Sequence, residues 1–159
     1  MKYFILSLIL LTSMVQAEKI VFLHGGKSHG PGIHEYRAGS MLLADQLRAQ
    51  SHAKIETQVI AGWPQDESVL DDADAIILYN SSSKIVDKGL EKMHSLWKKG
   101  VGIMMIHYAL HPKNNESTGD KYYLPWIGGY FKDGKSVNPV WKATLEFDET
   151  HPISNGVGK

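Results

Sequence analysis

Residues 20–35 read Ile20-Val21-Phe22-Leu23-His24-Gly25-Gly26-Lys27-Ser28-His29-Gly30-Pro31-Gly32-Ile33-His34-Glu35. An unbroken apolar run ended by glycines predicts a buried strand, because a strand covered on both faces shows no polar alternation. The glycines and Pro31 then interrupt regular structure, and a helical pattern opens at Glu35. This order of strand, Gly-rich loop and helix puts three histidines and a carboxylate on one loop. The loop lies at the C-terminal end of the strand, the edge at which open α/β sheets bind ligands. Histidine is the side chain best suited to metal ligation or proton transfer near neutral pH.

The pattern continues outward from this stretch. Residues 35–50 predict a helix with Met41, Leu42, Leu43 and Leu47 as its apolar stripe. Residues 54–60 alternate and are β-branched, which predicts a second strand, broken by Gly62-Trp63-Pro64. Residues 73–79 give a third buried strand, 86–99 a second helix ended by Gly100, and 101–107 a fourth buried strand. Near-continuous apolar strands alternating with helices predict the α/β class, with a mostly parallel central sheet covered by helices. Beyond Tyr108 the chain is rich in Gly, Pro, Asn, Lys and aromatic residues over 111–141. Long excursions of this kind are functional or disordered, and the aromatics argue against disorder. Residues 142–147 alternate as a further strand would, and the chain stops at Gly158-Lys159 without a closing helix. The domain is therefore expected to be incomplete at its C-terminus.

At 159 residues with 17 basic and 17 acidic side chains, the chain carries no net charge. It has no basic stripe, so nucleic acid is not an expected partner. It has no cysteine, which excludes disulfides, thiolate metal sites and a cysteine nucleophile. Lys2, the apolar run Phe4 to Leu11 and Val15-Gln16-Ala17 have the layout of a secretory signal peptide. The expectation is a leader over 1–17 and a mature domain over 18–159, exported to the periplasm or outside the cell. The leader's apolar run is too short to span a bilayer, so no membrane span is expected after cleavage.

Three familiar motifs fail on spacing. A phosphate-binding loop ending in Gly26-Lys27-Ser28 needs glycine where Val21 stands. The dinucleotide pattern starting at Gly30 meets Glu35 at its third glycine, and no nucleotide cofactor is expected. His34-Glu35 lacks the second zincin histidine, since Ala38 occupies that position.

What remains is a set of candidates at one sheet edge. His24, His29 and His34 recur every five residues, so they share no helix face, but a Gly-rich backbone can gather them around a divalent metal such as zinc. The alternative is an ordinary polar role in the loop. Glu35 is a candidate acid–base group or a capping carboxylate in a first helical turn. His107, at the tip of the fourth strand, is a candidate general base or metal ligand, with a hydrogen-bonded core histidine as its alternative. Tyr79 and Asn80 end the third strand at the same edge and suit substrate hydroxyls or a helix cap. Tyr108, Trp126, Asn138 and Trp141 would complete an aromatic and amide wall suited to a sugar ring, or a lid packed on the core.

Several segments together resemble the ThuA-like (trehalose utilisation) family of the class I glutamine amidotransferase-like superfamily. They are Lys27 to Glu35, Gly102 to Ala109, Trp126-Ile127-Gly128-Gly129-Tyr130-Phe131, Ser136-Val137-Asn138-Pro139 with Trp141, and His151-Pro152-Ile153 with Gly156-Val157. The resemblance covers nearly all of 18–159 and implies a flavodoxin-like three-layer sandwich. It also implies a role in catabolism of disaccharides and their keto forms. In amidotransferases a cysteine occupies the sharp turn after a central strand, and the match places His107 there, so glutaminase chemistry is excluded. Two departures stand out. Relatives often carry histidine where this chain has Val140, and they continue past the His-Pro-Ile segment with further strands and a helix.

The resulting expectation is an exported protein acting on a carbohydrate, by hydrolysis or elimination at a glycosidic bond without a cysteine nucleophile. A non-catalytic carbohydrate- or protein-binding module of the cell envelope is the alternative, and an inactive fragment with exposed apolar surface is a third reading.

Overall fold

A computed structural model describes residues 17–50, 54–82, 84–144, 146, 148 and 150–154. The leader expected over 1–17 falls outside these residues except for Ala17. Four strands form one sheet: β1 (Glu18–His24), β2 (Ile55–Ala61), β3 (Ala75–Tyr79) and β4 (Gly102–Ile106). The order is β2-β1-β3-β4 and every pairing is parallel. This is the flavodoxin-like order, whose ligand crevice opens where the chain reverses direction across the sheet, between β1 and β3.

Two long helices and two short ones cover the sheet. They are α1 (Tyr36–Gln50), α2 (Leu90–Lys98), α3 (Asn115–Thr118) and α4 (Leu124–Ile127), the last two joined by a π turn over Gly119–Tyr123. The larger core packs Val21, Leu23, Ile76 and Leu78 of the sheet against Met93 and Leu96 of α2 and Tyr122, Tyr123 and Trp126 of the later helical run. Val21, Leu23, Ile76 and Leu78 are fully buried, and burial of each such side chain is worth about 1.5–3 kcal/mol. The opposite face, carrying Phe22, Ile77 and Tyr79, receives α1. The architecture is thus a three-layer α/β sandwich. Among the described residues no helix is long and apolar enough to cross a membrane.

Helix α1 departs from the predicted stripe. Its buried line is Tyr36, Ser40 and Ala44, while Met41, Leu42 and Leu43 are exposed. Small residues let the helix sit low on the sheet: a β-carbon on Gly39 would lie 2.7 Å from Cε1 of Tyr79. The bulkier leucines cannot enter so close a contact and remain on its flanks. The second helix begins at Leu90 rather than Val86, because Val86–Lys88 forms a 3-10 turn and Gly89 abuts Trp63. The strand expected over 142–147 is not formed by its described residues, which are irregular and exposed. Among the described residues strand β4 is therefore a sheet edge, and Met104 on its α1 side is 53% exposed.

Candidate functional site

Three loops meet above the C-terminal ends of β1, β3 and β4. The backbone N–H of Gly25 donates to the Tyr79 carbonyl (2.9 Å), drawing the loops after β1 and β3 together. A β-carbon at Gly25 would lie 2.8 Å from Cβ of Asn80, so this approach requires glycine. Asn80 is buried. Its Oδ1 accepts from the backbone N–H of Ser82 (3.1 Å), while its Nδ2 has no partner among the described residues.

The third loop begins at His107, which opens a 3-10 turn over His107–Leu110 with a left-handed backbone, φ 63°. A β-carbon disfavours that region, so the turn is sharp and locally costly, by about 1–2 kcal/mol. It lifts the imidazole off the strand axis toward the histidine loop. His34 is left-handed as well, φ 52°, and its ring centroid lies 4.4 Å from that of His107. His29 lies beyond it, with Nδ1 2.8 Å from Nδ1 of His34 and 2.7 Å from Ser28 Oγ. Ser28 Oγ in turn donates to the Tyr36 hydroxyl (3.1 Å). Two ring nitrogens at hydrogen-bonding distance require one to carry a hydrogen and the other a lone pair, so His29 and His34 are joined by an N–H···N bond beside His107.

The His107 pKa lies below the ordinary imidazole value. Burial is the larger cause, the charges of His34 and His29 follow, and the nearby Asn80 backbone opposes the shift. Its Nδ1 is buried without a partner among the described residues. A neutral imidazole carries one lone-pair nitrogen and can serve as a base where that nitrogen reaches the substrate.

Beside His107 is a cleft of about 280 Å³ lined by His107, Tyr108, Leu110, Phe131, Val137 and Asn138. Asn138 Nδ2 donates to the Tyr108 hydroxyl (2.8 Å), which fastens the late loop over the turn. The same loop is anchored from behind, where the Phe131 carbonyl accepts from Asn115 Nδ2 (2.9 Å) and its N–H donates to the Leu110 carbonyl (2.9 Å).

The remaining candidates fall elsewhere. His24 turns its Nδ1 toward the Gly25 carbonyl (2.8 Å) and lines a depression with Arg37, Met41, Asp45, Arg48 and Val59. It does not join His29 and His34, and among the described residues no three His, Asp or Glu side chains are grouped to hold a metal. Glu35 Oε1 accepts from the Gly32 backbone N–H (2.9 Å), which ties its carboxylate to its own loop. Tyr79 packs edge-on against Tyr36, centroids 4.9 Å apart, beneath the site. Trp126 is buried in the larger core with Nε1 donating to His94 Nδ1 (3.2 Å), and Trp141 is 68% exposed. Neither tryptophan lines the cleft. Sequence reading missed Ser28 and Tyr36. Their signal was a hydroxyl-bearing residue at each end of the histidine loop, one of them an aromatic at the first turn of α1.

In comparisons with protein-family models, with curated proteins and with solved structures, the chain matches none of them.

Proposed function

We propose that this is an exported, ThuA-like carbohydrate-processing protein in which His107 is the general base. The observation that carries the reading is His107 itself: a left-handed residue at the turn after β4, held neutral, at the mouth of a cleft walled by Tyr108, Phe131 and Asn138. Aromatic faces and an amide suit the alternating apolar and hydroxyl surfaces of a sugar ring. The sharp turn is also the position that the family resemblance assigns to a displaced nucleophile.

For a keto-sugar glycoside the chemistry is an elimination. The carbonyl acidifies the neighbouring C–H, and neutral His107 accepts that proton. The electron pair forms a C=C bond as the C–O bond to the leaving sugar breaks. The departing oxygen takes up a proton, either the one His107 has just accepted or one from solvent water, so the step balances. General acid–base catalysis of this kind is worth about 10²–10⁴ in rate.

The test is product formation from 3-keto disaccharides and their parent sugars, by the protein and by His107→Ala. Turnover lost in the variant with saccharide affinity kept supports the reading. Saccharide binding with no product from either protein would replace it with the binding-module reading.

A further inference from the structure

A second cleft, of about 710 Å³, has Ser82, Lys84, Lys88, His111 and Lys113 on its walls. We propose that it is an anion-binding site for a small ligand bearing phosphate or another multiply charged oxyanion.

Lysines from three separate stretches line it: Lys84 in the loop after β3, Lys88 in the 3-10 turn ahead of α2, and Lys113 in the loop after His111. The other lysines of this region are committed. Lys92 pairs with Asp71 (2.5 Å) and Lys121 with Glu91 (3.2 Å), whereas Lys84, Lys88 and Lys113 have no carboxylate partner among the described residues. Asp87 also borders the cleft, but one of its oxygens is buried. Its charge is felt by the buried Tyr123 hydroxyl, whose pKa is raised by burial first and by Asp87 second. The cleft therefore keeps a net positive lining.

Two neighbours add donors and rigidity. Ser82 Oγ accepts from the Lys84 backbone N–H (3.4 Å), so its own hydrogen is left to donate to an oxyanion. His111 is fixed by Asp133 (Nε2 to Oδ1, 3.0 Å) and by Phe131, centroids 5.0 Å apart. Phe131 lines the first cleft, so His111 of the second cleft packs against a wall of the first. The inference rests on the lysines and the cleft and does not depend on the carbohydrate reading.

The experiment is calorimetric titration of the full chain with inorganic pyrophosphate, beside two variants of equal charge. Lys84→Gln/Lys88→Gln/Lys113→Gln removes the cleft lysines, and Lys54→Gln/Lys98→Gln/Lys99→Gln removes exposed lysines elsewhere. The expected result is binding that weakens by about tenfold or more in the first variant, the equivalent of roughly 1.4 kcal/mol, and stays within about twofold in the second. Absence of binding by the unaltered chain, or equal weakening in both variants, overturns the site. Circular dichroism of each variant separates loss of fold from loss of binding.

Discussion

The imidazoles of His34 and His107 face each other with centroids 4.4 Å apart, and both residues hold the left-handed backbone that side chains avoid. Such strain costs about 1–3 kcal/mol per residue and persists only where the surroundings impose it. Here it comes from two elements that meet only in the folded state, the loop ahead of α1 and the turn after β4. The following outcomes are expected from that arrangement.

Replacing His107 by Ala should lower turnover by about 10²–10⁴ while leaving the far-ultraviolet circular dichroism unchanged. His107→Gly should be equally inactive yet more stable than the Ala variant by about 1 kcal/mol, because glycine relieves the positive φ. Urea unfolding of the two variants measures the difference. A Gly variant less stable than the Ala variant would contradict the strained turn.

The lowered His107 pKa fixes the sign of a pH effect. The unfolded chain takes up this proton near pH 6.5, and the folded chain only at lower pH. Between these values the unfolded chain binds more protons, so stability rises with pH and is fully present above the upper one. As pH falls through this window, the unaltered protein should lose more stability than His107→Gln. Activity should fall on acidification with an inflection below 6.5. Parallel stability profiles for the two proteins would remove His107 as the source.

Glu35→Gln should keep near-normal turnover, because an amide oxygen can still accept from the Gly32 N–H that Glu35 Oε1 now holds. A loss of about 10² or more would instead make Glu35 a proton-transferring group. Glu35→Ala removes the acceptor and should loosen the loop, which is readable as faster amide exchange at Gly32.

Gly39→Ala improves helix propensity by about 1 kcal/mol, but its β-carbon meets the Tyr79 ring at 2.7 Å. Tyr79 is backed by Tyr36, so α1 must move rather than the ring. The net expectation is destabilisation by about 1–3 kcal/mol, with reduced activity, since α1 carries Tyr36 at the floor of the site. A neutral or stabilising substitution would show that α1 can ride outward freely.

Legibility in the sequence followed the physics of each element. Strands β1 and β3 were readable because burial in the middle of the sheet leaves an apolar run that no other local structure explains so simply. Strand β4 was readable from the same kind of run, but its expected burial was not met, since it carries no buried residue. Helix α1 was readable in extent but not in orientation. Its three adjacent apolar residues outweighed the line Tyr36-Ser40-Ala44, whose burial depends on close approach to a sheet that a periodicity count cannot see. His107 was readable from its place at a strand tip. The pairing of His29 with His34, and the separation of His24 from both, were not, because a loop with four glycines between residues 25 and 32 fixes no spacing of its own. Trp126 and Trp141 were grouped by composition, and the fold sent one into the core and left the other at the surface.

The strand order has a consequence for how the protein is made. Strand β1 leads the described chain, yet it stands between β2 and β3, with Glu18 opposite Ile55 and Ile20 opposite Ala75. A ribosome adding about 5–20 residues per second needs several seconds to reach Tyr79, and through that interval Ile20-Val21-Phe22-Leu23 has no sheet to join. Parallel pairings of such sequence separation also form slowly once the partners exist. The nascent chain thus carries an unpaired apolar segment until both neighbouring strands have been made, a target for any holding chaperone that binds short apolar stretches.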